Sequence, residues 1–273
     1  MNQCAKIVAS SLTASVVFIT AACSASNGRR PTLEGDWPAA IQEIRSAIVQ
    51  IRTLTPTTRK TYPHGTAFFV NLDGHLITAR HVITEGAESA RRLGDGSFVA
   101  AGMMYDNTEA ERDRAFGVNF TVVAEDEAND LVLFRLAVNP AKGELRKLVQ
   151  SQGVDKVPKV SAVKIDSRRP TEGARISVSG FPFDAPALVT NSGWVASAWH
   201  SNFVTTPAGR KKLDIYIADA AVNPGNSGGP VYLIQGVRVI GVAVAKQGEG
   251  FAYIVPARYV VDLLRRNGVT WSE

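Results

Sequence analysis

The chain has 273 residues, 45% of them hydrophobic and 20% charged, with a formal net charge of +5. That length can bury one generous core or two small ones, and that balance excludes a globally disordered chain. The basic residues fall in short clusters (Arg91-Arg92, Arg168-Arg169, Arg210-Lys211-Lys212, Arg265-Arg266), as expected of solvated loop tips and a helix end. They form no dense stripe with aromatic platforms, so nucleic acid is not expected as a partner, while weak attraction to anionic envelope polymers stays open.

Residues 1–23 read as an export signal. Lys6 supplies positive charge, Ile7 to Ile19 is a short run of apolar and small residues, and Thr20-Ala21-Ala22-Cys23 follows as a small-residue cleavage region. The run is too short and too rich in Ser, Thr and Ala for a membrane span. Cys23 has two readings: attachment of a lipid at a new N-terminus, or ordinary cleavage near Ala22 or Ala25. Ala-Ala-Cys resembles the end of a bacterial lipoprotein signal, although Thr20 stands where that pattern usually has an aliphatic residue. With a lipid on Cys23, Ser24 would favour the outer membrane. Periplasm or cell envelope is the expected location, and Cys23 is the expected route to any membrane anchoring. Cys4 and Cys23 are the only cysteines, so the rest of the chain must hold its fold by packing without a disulfide. No Cys/His cluster suggests a metal, and no organic cofactor is expected.

Residues 24–36 read as a flexible tether. Trp37-Pro38 opens a short amphipathic stretch with Ile41, Ile44 and Ala47 at helical spacing. From Ile48 the period becomes that of strands: Ile48–Arg52, Gly65–Val70, Leu76–Thr78, Phe98–Met104, Asn119–Ala124 and Leu131–Leu136. Asn71-Leu72-Asp73-Gly74 is a hairpin turn of the Asp-Gly kind. Together these predict a first β-barrel of six strands over residues 47–137, followed by a linker over 138–170 that begins polar and proline-bounded. A second set follows over 171–256: Ala174–Ser179, Ser192–Ala198, Ile215–Ala218, Pro230–Ile234, Val237–Val244 and Phe251–Ile254. Residues 257–267 predict a C-terminal helix with Val260, Val261, Leu263 and Leu264 on its apolar face, and Gly268 sits at its C-cap.

The most telling stretch is Gly225-Asn226-Ser227-Gly228-Gly229-Pro230. A serine between glycines on a tight turn can present its hydroxyl outward and aim consecutive N–H groups at one point, as acyl transfer requires. Glycine-rich turns also occur for steric reasons alone. Two distant segments add weight: Leu76-Ile77-Thr78-Ala79-Arg80-His81-Val82 and Asn129-Asp130-Leu131-Val132-Leu133-Phe134. The order His81, Asp130, Ser227, spaced by about 50 and about 100 residues, is that of the chymotrypsin clan and not of subtilisin-type or α/β-hydrolase chains. On these residues the chain resembles the trypsin-like serine proteases, most closely the bacterial branch with the HtrA/Deg protease domains. Gly65-Thr66-Ala67-Phe68-Phe69-Val70, Gly180-Phe181-Pro182 and Gly250-Phe251-Ala252-Tyr253-Ile254-Val255-Pro256 extend the likeness from Ala47 to Asp262. A PDZ domain after the C-terminal helix is not expected.

The resemblance implies a mainly β fold of two antiparallel six-stranded barrels, chymotrypsin-like, in one protease domain over 37–273. It implies a serine endopeptidase acting on protein or peptide substrates. His81 would be general base and then general acid, and Asp130 its orienting partner, with Asp126 a nearby competitor. Ser227 would be the nucleophile, and the N–H groups of Gly225 and Ser227 the oxyanion hole. Asp219 is expected to support the loop. Pocket walls would come from Ala220, Ala221 and Val222, and Val244, Ala245 and Lys246 would form the edge that pairs with substrate. Trypsin-like proteases that prefer Lys or Arg carry an acid where Ala221 stands. Cleavage after small or aliphatic residues is therefore expected, with selection of an acidic residue by Lys246 as the competing reading. His64 before the first strand pair, His75 in a turn and His200 in a loop are expected to be structural or solvated. Activation through a new N-terminus is not expected, since Asn226 replaces the aspartate that scheme needs. The alternative to an enzyme is a silent protease-like binding or signalling module of the envelope. A lipase or esterase is remote, because strand residues Pro230–Leu233 follow the serine turn where a nucleophile elbow needs a helix.

Overall fold

A computed structural model describes residues 37–54, 61–92, 99–104, 116–151, 159–206, 209–247 and 250–273. The expected export signal, tether and lipidation site Cys23 lie outside the described residues, and the side chains of Ala245 and Lys246 lie outside those described within the strands.

The first barrel comprises β1 (Ile48–Leu54), β2 (Thr61–Phe69), β3 (His75–Ala79), β4 (Val99–Met104), β5 (Phe116–Asp126) and β6 (Leu131–Leu136), closed in the order β1-β2-β3-β6-β5-β4 with every pairing antiparallel. Leu131, Val132, Leu133 and Phe134 are all buried, so β6 lacks the alternation of a half-exposed strand. Both its faces are covered, one by the barrel interior and one by the C-terminal helix. At the β2–β3 hairpin Asn71 Oδ1 accepts the N–H groups of Asp73 and His75, and Gly74 takes φ +91°. This is the turn its Asp-Gly pair predicts.

The second barrel comprises β8 (Arg175–Gly180), β9 (Val189–Thr206), β10 (Gly209–Ala220), β11 (Pro230–Leu233), β12 (Arg238–Gln247) and β13 (Phe251–Pro256), in the order β11-β8-β9-β10-β13-β12. Pairing of β11 with β12 closes these six strands into a ring. The barrel differs from the all-antiparallel expectation by one addition: β7 (Lys164–Ile165), inside the expected linker, runs parallel to β12. The linker also holds α3 (Glu144–Ser151), which buries Leu145 and Val149 one turn apart. The β9–β10 hairpin extends well past its expected ends, and His200 lies inside 18-residue β9, not in a loop. Its outer part sets Phe203 and Val204 side by side among Ser, Asn, Thr and Lys, which gives no apolar alternation to read, and is held by main-chain pairing from Ser201–Asp214 to Thr206–Gly209.

Among the described residues three further α-helices occur: α1 (Trp37–Arg45), α2 (Arg80–Arg92) and α4 (Ala257–Arg266). α1 buries Ala40 and Ile44, and the Trp37 indole donates to Ser177 Oγ at 2.9 Å, tying the helix to β8. α4 buries Val260, Val261, Leu263 and Leu264, then ends as Gly268 at φ +65° donates to Arg265 O. Arg266 reaches Asp126 at 2.8 Å and fastens α4 to the end of β5. Asp126 is thereby occupied, with Asn129 as a second donor, and is no competitor for His81.

Candidate active site

His81 stands in the first turn of α2, directly after β3. Register pairs Ala79 with Leu131, so Arg80 and Asp130 face one another where the β3–β6 ladder ends. The ladder is prolonged by Arg80 N–H donating to Asp130 O at 2.9 Å. Asp130 adopts φ 55°, a left-handed conformation that aspartate tolerates better than most residues. Its carboxylate then takes two bonds from one neighbour: His81 N–H to Oδ1 at 2.9 Å, and His81 Nδ1 to Oδ2 at 2.7 Å. A carboxylate against Nδ1 requires the proton there, which leaves Nε2 as the basic nitrogen. Burial disfavours the imidazolium, but the Asp130 hydrogen bond and charge, together with Glu85, outweigh it and hold the His81 pKa above the ordinary histidine value.

Ser227 lies on the turn between β10 and β11. Main-chain bonding there is selective. Asn226 N–H donates to Asn223 O, Gly228 N–H to Ala243 O and Gly229 N–H to Asn226 O, whereas the N–H groups of Gly225 and Ser227 have no acceptor among the described residues. The carbonyls are pinned from outside: Pro224 O by Phe183 N–H at 2.8 Å, Gly225 O by Thr66 Oγ1 at 2.7 Å, and Ser227 O by Thr66 N–H at 2.8 Å. Gly225 has φ +100°, and a Cβ there would sit 2.2 Å from Phe181 O, so only glycine fits.

His81, Ser227, Gly225 and Val222 line one cleft of about 230 Å³. The same cleft takes in His64, Glu85, Asn223 and Pro224, which the sequence reading did not assign to the site. Glu85 was within reach of that reading, since residue i+4 shares the face of His81 on a helix. His64 was not. It lies inside β2 and not before the strands, as the extra residue of a bulge: Ile51 pairs with Gly65 and Arg52 with Pro63. A bulge re-aims a side chain, and Gly86 of α2 makes room, since a Cβ there would come within 2.9 Å of the His64 ring. Burial, reinforced by the charge of Arg52, holds the His64 pKa below the ordinary value and so favours the neutral imidazole.

The expected specificity residues fare unevenly. Only Val222 of the three wall residues lines the cleft. Ala220 is buried in the second barrel's core, and Ala221 is exposed with its carbonyl bonded by Asn191. Val244 is buried, and Val244–Lys246 lie in β12. Asp219, next to last in β10, has an exposed side chain that makes no hydrogen bond to the loop among the described residues.

Two closed barrels with a serine, a histidine and its aspartate at their seam define a trypsin-like serine peptidase architecture. The chain belongs to the family described as the trypsin-like peptidase domain, whose sequence profile matches residues 65–242. Among curated proteins it is 27% identical to the serine protease HTRA1 of Xenopus tropicalis over 223 residues, 80% of this chain and 40% of that protein. It is also 27% identical to the "Probable periplasmic serine endoprotease DegP-like" of Rhizobium meliloti, over 75% of this chain and 34% of that protein. The chain thus spans less than half the length of these relatives. Its fold is similar to the crystal structure of the Rv3671c protease of M. tuberculosis in its active form, with a TM-score of 0.58, 19% identity and 86% of each chain covered.

Proposed function

We propose that this protein is an exported serine endopeptidase that cleaves peptide bonds through an acyl-enzyme. The observation that carries the reading is the single cleft, in which the Asp130-bonded His81 and Ser227 meet two N–H groups without an internal acceptor. His81 Nε2 takes the Ser227 proton as Oγ attacks the scissile carbonyl. The N–H groups of Gly225 and Ser227 receive the oxyanion, and His81 returns the proton to the leaving amine. Water then repeats the sequence on the acyl ester. Asp130 holds the tautomer and stabilises the imidazolium.

The substrate backbone adds to β12. Pairing with β11 ends at Val242, and beyond it Ala245 and Lys246 pair with Tyr253 and Ala252 of β13, which leaves the opposite edge for an incoming strand. Val222 in the cleft and an alanine at position 221 favour small or aliphatic residues before the scissile bond, with acid selection by Lys246 as the competing preference. The N-terminal segment and the periplasmic relative support export to the periplasm or envelope, with Cys23 as a candidate anchor.

A fluorophosphonate probe tests the chemistry. Purified protein should be labelled stoichiometrically, and Ser227→Ala should lose both labelling and cleavage, the latter by about 10⁶-fold as in other serine proteases stripped of the nucleophile. A wild type that takes no probe would instead be a silent binding module. Dominant cutting after Lys or Arg in a peptide library would overturn both specificity readings, and mass spectrometry of the mature N-terminus decides between a lipid on Cys23 and ordinary cleavage.

A further inference from the structure

The nucleophile turn is not held by its own side chains. Asn226 lies at its centre, 1% exposed, and neither polar atom of its amide has a partner among the described residues. The Pro224–Gly225 peptide is instead faced by the segment 181–185. Phe183 donates its N–H to Pro224 O at 2.8 Å. Across a planar trans peptide the carbonyl and the N–H point in opposite directions, so a carbonyl fixed on that side turns the Gly225 N–H to the other. The orientation of one proposed oxyanion donor therefore depends on where Phe183 lies.

To reach Pro224 the segment passes through two consecutive non-glycine residues in the left-handed region, Phe183 at φ 53° and Asp184 at φ 57°. Side-chain-bearing L residues disfavour this conformation, and it persists where surrounding contacts over-determine it. Those contacts come from the other barrel. Asp184 Oδ1 accepts Arg52 Nη1 at 2.5 Å and Gln50 Nε2 at 3.0 Å, and Oδ2 lies 3.5 Å from Arg52 Nη2. Gln50 is fully buried, and its Oε1 accepts Arg52 Nη1 at 3.2 Å. The Arg52 side chain is 13% exposed and that of Asp184 43%, so the pair is buried on the Arg52 side and open to solvent on the Asp184 side. The ring of Phe183, by contrast, is largely in solvent. Phe181 and Pro182 are buried at the start of the segment, and the polar anchor holds its Asp184 end.

We propose that Asp184, Arg52 and Gln50 are positioning residues: their contact between the barrels holds Phe183 against Pro224 and so keeps the Gly225 N–H directed into the cleft. The inference rests on the endopeptidase reading. Opening the ion pair releases the Pro224–Gly225 peptide to rotate, which removes one oxyanion donor while the His81–Asp130 pair stays intact.

The experiment compares wild type with Asp184→Gly, Asp184→Ala, Arg52→Ala and the Arg52→Ala/Asp184→Ala double variant, on one peptide substrate, after titration with the fluorophosphonate. Glycine adopts left-handed angles freely, so Asp184→Gly removes the carboxylate without adding backbone strain. A full donor loss costs about 10²–10³ in turnover, and we expect kcat to fall by about tenfold or more in each single variant with KM within about threefold. The double variant should be no slower than the slower single one, as for residues acting through one contact. Affinity for a peptide aldehyde, which forms the tetrahedral adduct, should fall in step with kcat/KM while affinity for the product peptide holds. A merely structural role would not separate those two affinities. Wild-type kcat in Asp184→Gly and Arg52→Ala, in protein that the probe labels, would overturn the positioning role alone. A wild type that the probe does not label would overturn it together with the endopeptidase reading.

Discussion

The two walls of the cleft are built on different principles. On the first barrel, His81 and Asp130 sit beside the closing rung of the β3–β6 ladder, and each holds the other through two hydrogen bonds. On the second barrel, the serine turn has main-chain bonds of its own, Asn226 N–H to Asn223 O and Gly229 N–H to Asn226 O, but no side-chain support from within. Thr66 and Phe183 tie its carbonyls from elsewhere, and the Asn226 side-chain amide has no partner among the described residues. The proposed base is thus prepared within one barrel, at the end of the β3–β6 ladder, and the proposed oxyanion turn by contacts from other segments. Remote changes should spare the first and disturb the second.

Substitution can break that contrast, and the largest effect should fall on the first-barrel wall. Asp130→Asn preserves shape but removes the acceptor that fixes the His81 tautomer, so kcat should drop by about 10⁴, as the same change does in related triads. Circular dichroism of that variant should match wild type. On the other wall, Gly225→Ala should cost about 10²–10³ in turnover by displacing one donor. Its added methyl meets Phe181 O, and the resulting shift should register as lost aldehyde affinity in inhibition assays.

Thr66→Val probes the latch between the walls. It leaves Gly225 O and Phe181 N–H without the hydroxyl that serves both, at a cost of about 1–3 kcal/mol in unfolding free energy. Urea titration should read that loss, and Thr66→Ser should recover most of it. The smallest effect sharpens the comparison from the histidine side. Glu85 favours the charged imidazole and raises its pKa. In its proposed role His81 accepts a proton only when neutral, so the acidic limb of kcat/KM should lie above the ordinary histidine value. Glu85→Gln should move that limb to lower pH while leaving the plateau nearly unchanged. A limb that moves upward would contradict the sign of this coupling.

Much of this molecule was legible before any coordinates. Leu131–Leu136 reads as a strand, Val260–Leu264 as the apolar face of a helix, and Asp73-Gly74 as a hairpin turn. His81, Asp130 and Ser227 stood in motifs whose residues are adjacent in the chain. α2 was harder: Thr84 and Gly86 weaken its helical preference, and its 13 residues depend on packing against β1, β2 and β3. Nothing in Pro63-His64-Gly65 marks a bulge, so the sequence places His64 outside the strands. The bulge arises only when β2 meets its partner strand.

Identity, motif and period along the chain determined the double-barrel class and the three residues most worth testing, because each of those signals is carried by near neighbours. The arrangement of the second barrel's turn was decided by folding. Thr66, Phe183, Asp184 and Arg52 act on it through contacts between segments far apart in sequence, and such contacts leave no local pattern of spacing or hydropathy. Only closure of both barrels brings those groups within hydrogen-bonding distance.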